Sequence, residues 1–119
     1  MKTKMFGIIL LSAMLLTSCA TYYITPQSLQ SQLRKAQPNG QFNGIYQVNC
    51  VDKNGAEKVL PVTNHTGVRI TKKDDTRQTF YFVTAFLQDS IVTGSKSTFF
   101  PMPIKPINVN DIKKIEFQH

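Results

Sequence analysis

The stretch TFYFVTAFL (residues 79–87) predicts the central strand of the fold, because it is apolar at both alternating sets of positions. Side chains along a strand lie on opposite faces in turn, so Phe80, Phe82 and Phe86 are expected to share one face, and residues 81, 83, 85 and 87 the other. A strand that is apolar on both faces is buried on both. We therefore expect one face to meet the core of a sheet and the other face to be covered by another element.

A short amphipathic helix in residues 26–37 is the predicted cover. Thr25 suits the N-cap, and Pro26 suits the first helical position. Leu29, Leu33 and Ala36 form a narrow apolar stripe, which must pack on a larger element. We expect this stripe on the second face of the aromatic strand; a partner or a second copy of the chain is the competing cover.

The chain after Gly44 has the composition of short strands separated by turns. Runs of β-branched and aromatic residues occur at 45–51, 57–62, 67–71, 78–87, 91–94 and 113–117. No helical pattern interrupts them, so the sheet is expected to be antiparallel. Alternation within the first run predicts a buried, unreactive thiol at Cys50. The predicted fold class is mainly β, a small antiparallel roll or SH3-like barrel with one N-terminal helix; an α+β arrangement is the alternative.

The N-terminus has the three parts of an export leader. Lys2 and Lys4 supply positive charge, residues 5–16 form an apolar run, and LTSC (residues 16–19) follows it. Twelve helical residues span about 18 Å, which is less than the roughly 30 Å hydrocarbon core of a bilayer. The pattern therefore predicts a leader that is removed.

Residues 16–19 resemble the bacterial lipobox. In that family the thiol of the cysteine becomes a diacylglyceryl thioether, which here implies lipidation of Cys19 and cleavage between Ser18 and Cys19. The resemblance implies a signal peptide at 1–18, a lipidated tether at 19–24 and a single β-rich domain with an N-terminal helix at 25–119. Neither an aspartate nor an acidic run follows Cys19, so the resemblance implies an outer-membrane lipoprotein that faces the periplasm.

Residues 68–116 resemble small envelope modules of bacteria, including lipoproteins of the Bacteroidota type. The shared pattern is a strand (68–71), a charged turn (72–76), an aromatic strand (79–87), a glycine-marked strand (91–94) and a proline-flanked segment closing on DIKKIE (111–116). Such modules often have Asp-Gly in the turn, where this chain has Asp74-Asp75. The resemblance implies a small roll or SH3-like barrel and no catalytic motif.

Charged and reactive residues give little support for an enzyme. The formal charge is +7 and becomes +5 without Lys2 and Lys4, but the basic residues are scattered, so we expect no nucleic-acid partner. A nucleophilic pair of Cys50 and His65 lacks an orienting third group. We expect no catalytic residue, metal or cofactor. The expected partners are the membrane, through the lipid anchor, and an envelope protein or glycan; the oligomeric state stays open.

A possible modification site lies between two predicted strands. Asp89-Ser90-Ile91 is similar to the acceptor of the general O-glycosylation system in Bacteroidota, which implies a glycan on Ser90. The predicted function is a membrane-anchored, non-catalytic binding or interaction module of the cell envelope. The alternative is a structural accessory subunit of an envelope complex without a ligand of its own. A concave aromatic surface would favour the first, and a flat apolar patch the second.

Overall fold

The computed structural model describes residues 20–36 and 40–118, which form one antiparallel sheet and one helix. Ser18, Cys19 and the predicted leader lie outside the described residues. The prediction of a mainly β fold with one N-terminal helix is confirmed. The elements are β1 (Thr21–Ile24), α1 (Pro26–Lys35), β2 (Gln47–Val51), β3 (Glu57–Pro61), β4 (Gly67–Lys72), β5 (Arg77–Gln88), β6 (Ile91–Ser95), β7 (Ile107–Asn108), a 3₁₀ turn (Val109–Asp111) and β8 (Ile112–Gln118).

The eight described strands form an open sheet in the order β3-β2-β1-β8-β4-β5-β6-β7. The first and last of the described strands pair in the middle, which leaves β3 and β7 as edges. Closure requires the edge strands to pair with each other, and the two-residue β7 pairs only with β6 among the described strands. The SH3-like barrel is therefore wrong for the described chain.

Residues 21–24, which the sequence analysis assigns to a tether, form the strand β1. β1 pairs with β8 from Thr21↔Gln118 to Ile24↔Ile115 and touches β2 at Tyr23↔Val51. Its aromatic and β-branched side chains suit a half-buried strand that has neighbours on both sides. Tyr22 and Ile24 also pack against the core. The tether prediction is wrong from Thr21 onward.

The helix α1 begins and packs as its sequence predicts. The Thr25 hydroxyl accepts a hydrogen bond from the Ser28 N–H at 3.1 Å, which caps the first turn. Leu29 and Leu33 are buried in the same core as Phe82 and Phe117, whose rings meet edge to face with centroids 4.9 Å apart. α1 therefore covers the core face of β5 and β8, and it does not cover the second face of β5.

A glutamine side chain completes the sheet where β1 turns into the helix. β1 ends at Ile24, so the backbone of Asn49 on β2 has no strand beside it at that level. The Gln32 amide donates to the Asn49 carbonyl and accepts from the Asn49 N–H, each at 2.9 Å. The backbone N–H and C=O at a strand edge need such partners, and Gln32 supplies both.

A bulge in β5 explains why the aromatic stretch is apolar on both faces. Tyr81 pairs with Ser95, but Phe86 pairs with Thr93, so residues 82–85 face a single residue of β6. The alternation shifts within this segment, where consecutive Thr84 and Ala85 are both buried. Phe86 is only half-buried, so it does not join the other two phenylalanines in the core.

The bulge is held by Asn43, which is 2% exposed. Its side-chain amide donates to the Phe82 carbonyl at 2.8 Å and to the Ala85 carbonyl at 3.1 Å. Its side-chain oxygen accepts from the Ile45 N–H at 2.9 Å, and its own N–H donates to the Val83 carbonyl at 2.8 Å. One residue thus satisfies backbone groups that the irregular ladder leaves unpaired.

Candidate functional site

The sheet has one face packed under α1 and a second face that no described helix covers, which we call the helix-free face. Its residues alternate along each strand with buried core residues, and directly paired residues share a face. One row of cross-strand partners on this face runs across four strands: Tyr23, Glu116, Arg69 and Thr79.

Glu116 lies near the centre of this face and is neutralised by two cations. The Arg69 guanidinium donates to both of its carboxylate oxygens, each at 3.2 Å. The Lys114 ammonium lies 3.8 Å from the same carboxylate and 5.5 Å from the centre of the Tyr23 ring. Glu116 is only 7% exposed, so its charge is met by these neighbours and little negative potential reaches the solvent.

Beside this cluster lies a basic depression of about 500 Å³, lined by Gly67, Arg77, Thr79, Phe80, Tyr81 and Lys96. Arg77 and Lys96 are exposed. Neither takes part in any of the ion pairs found among the described residues. Their charges are therefore available to an anionic ligand.

Residues 96–103, which we call the aromatic loop, follow β6 directly and expose large apolar side chains. Phe99 is 92% exposed, Phe100 is 58% exposed and Met102 is 42% exposed. Single exposed apolar residues are common on protein surfaces, so a group of three in one loop makes the loop a candidate interaction site.

Hydrogen bonds hold the aromatic loop in one shape. The Ser95 hydroxyl donates to the Ser97 carbonyl at 2.7 Å and accepts from the Met102 N–H at 3.1 Å. The Lys96 N–H donates to the Met102 carbonyl at 2.9 Å, which closes the base of the loop. From outside the loop, the Gln41 side chain donates to the Thr98 carbonyl at 3.0 Å. The exposed side chains therefore stand on an ordered backbone.

The aromatic loop and the helix-free face form a continuous surface. A groove of about 240 Å³ between them is lined by Phe86 and Thr93 from the strands and by Pro101 and Met102 from the loop, among others. Lys96 belongs to the loop and also lines the basic depression. Apolar and cationic regions thus adjoin on one side of the molecule.

The predicted modification site at Ser90 lies in the two-residue turn between β5 and β6, as its sequence suggests. Ser90 is half-buried, and its carbonyl accepts from the Val109 N–H at 2.8 Å. Asp89, the first turn residue, has a φ of 57°. Ser90 is not among the residues that line the groove beside the aromatic loop.

Cys50 and His65, which the sequence does not support as a nucleophilic pair, lie in different surroundings. Cys50 is buried on β2, where its thiol donates to the Lys58 carbonyl at 3.6 Å, and burial raises its pKa. His65 is exposed in the turn before β4, where its N–H donates to the Thr63 hydroxyl at 3.1 Å. The prediction that Cys50 is a buried free thiol is confirmed.

Two carboxyl groups with lowered pKa belong to turns. The Ala56 N–H, and then the Asn54 N–H, lower the pKa of Asp52. The hydroxyl and N–H of Thr76 lower the pKa of Asp74. Both carboxylates cap backbone groups of hairpin turns. Within residues 20–36 and 40–118, no group of three or more His, Cys, Asp or Glu residues is arranged to hold a metal ion.

The aromatic loop was not predicted from the sequence. The only signal was FFPMP (residues 99–103), whose two prolines exclude a central strand and leave its apolar side chains without a predicted burial site. None of the helices in the described part of the chain is long and apolar enough to cross a membrane. No protein-family model, curated protein or solved structure matches the chain.

Proposed function

We propose that this protein is a bacterial lipoprotein, anchored through Cys19 and outer-membrane in location, whose domain is a non-catalytic binding module of the cell envelope. The observation that carries the proposal is the ordered aromatic loop with Phe99, Phe100 and Met102 exposed. Full burial of one such side chain is worth about 1.5–3 kcal/mol. Burial of the exposed parts of these three side chains would therefore contribute favourable free energy to a binding event.

The position of β1 supports a short connection to a membrane. Cys19 precedes Thr21 by two residues, which reach at most about 7 Å in an extended chain. An acylated Cys19 would therefore hold the domain directly at the bilayer surface. The lipobox resemblance of residues 16–19 supplies the chemistry of the anchor.

The structural accessory subunit remains the weaker proposal. A flat apolar patch would favour it, whereas the exposed side chains here stand on a loop beside a groove and a basic depression. A binding module uses a surface of this kind, with apolar anchors surrounded by polar and charged groups.

Metabolic labelling with a clickable palmitate analogue tests the anchor. We expect the natural chain to be labelled and Cys19→Ser to be unlabelled, because serine cannot form the thioether. Equal labelling of both would contradict the lipoprotein proposal. Protease added to intact cells tests the periplasm-facing orientation, for which we expect no digestion until the outer membrane is opened.

A further inference from the structure

We infer that the helix-free face and the aromatic loop together dock on an anionic phospholipid bilayer. This inference rests on the proposed function for the role of the loop as a binding surface, and it names the partner of that surface. It follows from three features of the described structure: the charge of the face, the shape and chemistry of the loop, and the place where β1 begins.

The charge of the surface is complementary to anionic lipid headgroups. Arg77 and Lys96 form no ion pair among the described residues, and Lys105 is exposed on the segment that follows the loop. No Asp or Glu occurs from Ser90 to Asn110. Each Lys or Arg held near an anionic membrane surface contributes favourably to binding.

The aromatic loop has the chemistry of a segment that enters the membrane interface. Aromatic side chains concentrate where headgroups meet acyl chains, and buried apolar area gives interfacial binding its strength. Phe99 stands almost fully in solvent at the outermost part of the loop. A protruding loop enters a fluid bilayer without a preformed pocket, whereas a protein partner would have to provide one.

The start of β1 places an N-terminal anchor beside the same face. Thr21, Gln118, Gly67, Tyr81 and Ser95 form one row of cross-strand partners. β1 therefore begins at the level of the basic depression and of the base of the aromatic loop. Four strand spacings separate Thr21 from Ser95, which is about 19 Å. An acyl chain on Cys19 and the aromatic loop are close enough to contact one bilayer together.

Tryptophan fluorescence tests the docking, because the chain contains no tryptophan. Phe99→Trp places a single probe at the tip of the loop, and Tyr46→Trp is the matched control. Tyr46 is 83% exposed and precedes Val51 by five residues, about 17 Å of extended chain, in the direction away from the row of Thr21. The full chain is purified from envelopes and reconstituted into vesicles of phosphatidylcholine and phosphatidylglycerol that carry brominated acyl chains.

We expect a blue-shifted emission and strong bromine quenching for Phe99→Trp, and solvent-like, unquenched emission for Tyr46→Trp. Adding Arg77→Ala and Lys96→Ala to the Phe99→Trp chain should reduce the difference between the two probes. Adding Arg34→Ala and Lys35→Ala, which removes one arginine and one lysine from the end of α1, should leave that difference unchanged. Vesicles of phosphatidylcholine alone should reduce the quenching.

Intact mass of each preparation reports separately whether Cys19 is acylated. Quenching at position 99 in a chain that is not acylated would support the docking surface and contradict the anchor. An acylated chain with no quenching at position 99 would overturn the docking surface and leave the anchor standing. Emission that is shielded in native envelopes but solvent-like in the vesicles would assign the surface to a protein partner, which also overturns the inference. Equal quenching with either pair of charge substitutions would overturn the role of anionic lipid.

Discussion

Replacing Asn43 should cost more stability than replacing any exposed polar residue, because its amide satisfies the bulge of β5. Asn43→Ala removes two donors from the Phe82 and Ala85 carbonyls and one acceptor from the Ile45 N–H. An ordinary hydrogen bond contributes about 1 kcal/mol net, and a buried group left unpaired costs about 1–3 kcal/mol. Three such groups give an expected loss of at least about 3 kcal/mol.

Asn43→Asp changes the hydrogen bonds of the side chain but keeps its size, so it separates the contribution of the hydrogen bonds to stability from that of packing. The aspartate keeps the acceptor for the Ile45 N–H but presents a second oxygen to two carbonyl oxygens. Burial without a cation should raise the pKa of this carboxyl in the folded state above its unfolded value. The folded state then binds the proton more tightly, so the deficit relative to the natural chain is largest above the raised pKa and shrinks as the pH falls through it.

Urea unfolding and thermal unfolding, each followed by far-ultraviolet circular dichroism, measure both effects. For a domain of this size, about 3 kcal/mol lowers the melting temperature by at least about 12 °C. Gln41→Ala is the control, because it removes one exposed hydrogen bond to the Thr98 carbonyl and should change stability by less than about 0.5 kcal/mol. An Asn43→Ala chain as stable as Gln41→Ala would refute the role given to the amide.

Three further outcomes are expected. Gly94→Ala should lower stability by about 1–3 kcal/mol in thermal unfolding, because the new Cβ would overlap the Phe80 ring, whereas Gly67→Ala meets no atom within 4 Å and should be near neutral. In Cys19→Ser protein, the buried Cys50 thiol with its raised pKa should react slowly with a disulfide reagent until urea is added, and rapid reaction of the folded chain would contradict its burial. Intact mass of protein from the native host should show a glycan that Ser90→Ala removes, and an unmodified natural chain would end that prediction.

Local patterns predicted most of the elements. Strand composition located β2 to β6 and β8 to within a few residues, because each is a short run of strand-forming residues between turns. The N-cap and the apolar stripe located α1, although it ends at Lys35, earlier than expected. Neither β1 nor β7 could be located in this way, since strands of two to four residues depend on their neighbours more than on their own sequence.

The bulge in β5 shows where alternation alone misleads. If residues 79–87 formed a regular strand, Phe86 would lie on the same face as Phe80 and Phe82. Both faces of the strand would then have to be buried against other elements. The register shift instead changes which residues face the core partway along the strand. The cause is tertiary, because Asn43 from a distant segment pairs with the carbonyls that the shift exposes. No pattern within the strand itself contains that information.

The charged turn before β5 differs from that of the similar envelope modules, and the structure shows how the turn is kept. Those modules often have glycine after the aspartate, and glycine favours positive φ. Asp75 occupies that position with a φ of 69°, and its carboxylate pairs with Lys113 at 2.8 Å. An aspartate thus takes a backbone conformation for which glycine is favoured, and the hairpin is kept.

The placement of β1 connects the proposed anchor to the orientation of the domain. A flexible tether would let an acylated domain turn freely above the membrane, so an exposed loop would meet lipid only some of the time. Here the strand begins at Thr21 and pairs with β8 in the middle of the sheet, which leaves one residue between Cys19 and a fixed element of the fold. An anchor at Cys19 would therefore limit how far the sheet can tilt, and the row from Thr21 to Ser95 would be held near the bilayer. Binding of the acyl chain would already offset most of the entropy cost of association. The aromatic loop, Arg77 and Lys96 would then need to contribute little further free energy to keep the helix-free face on the lipid.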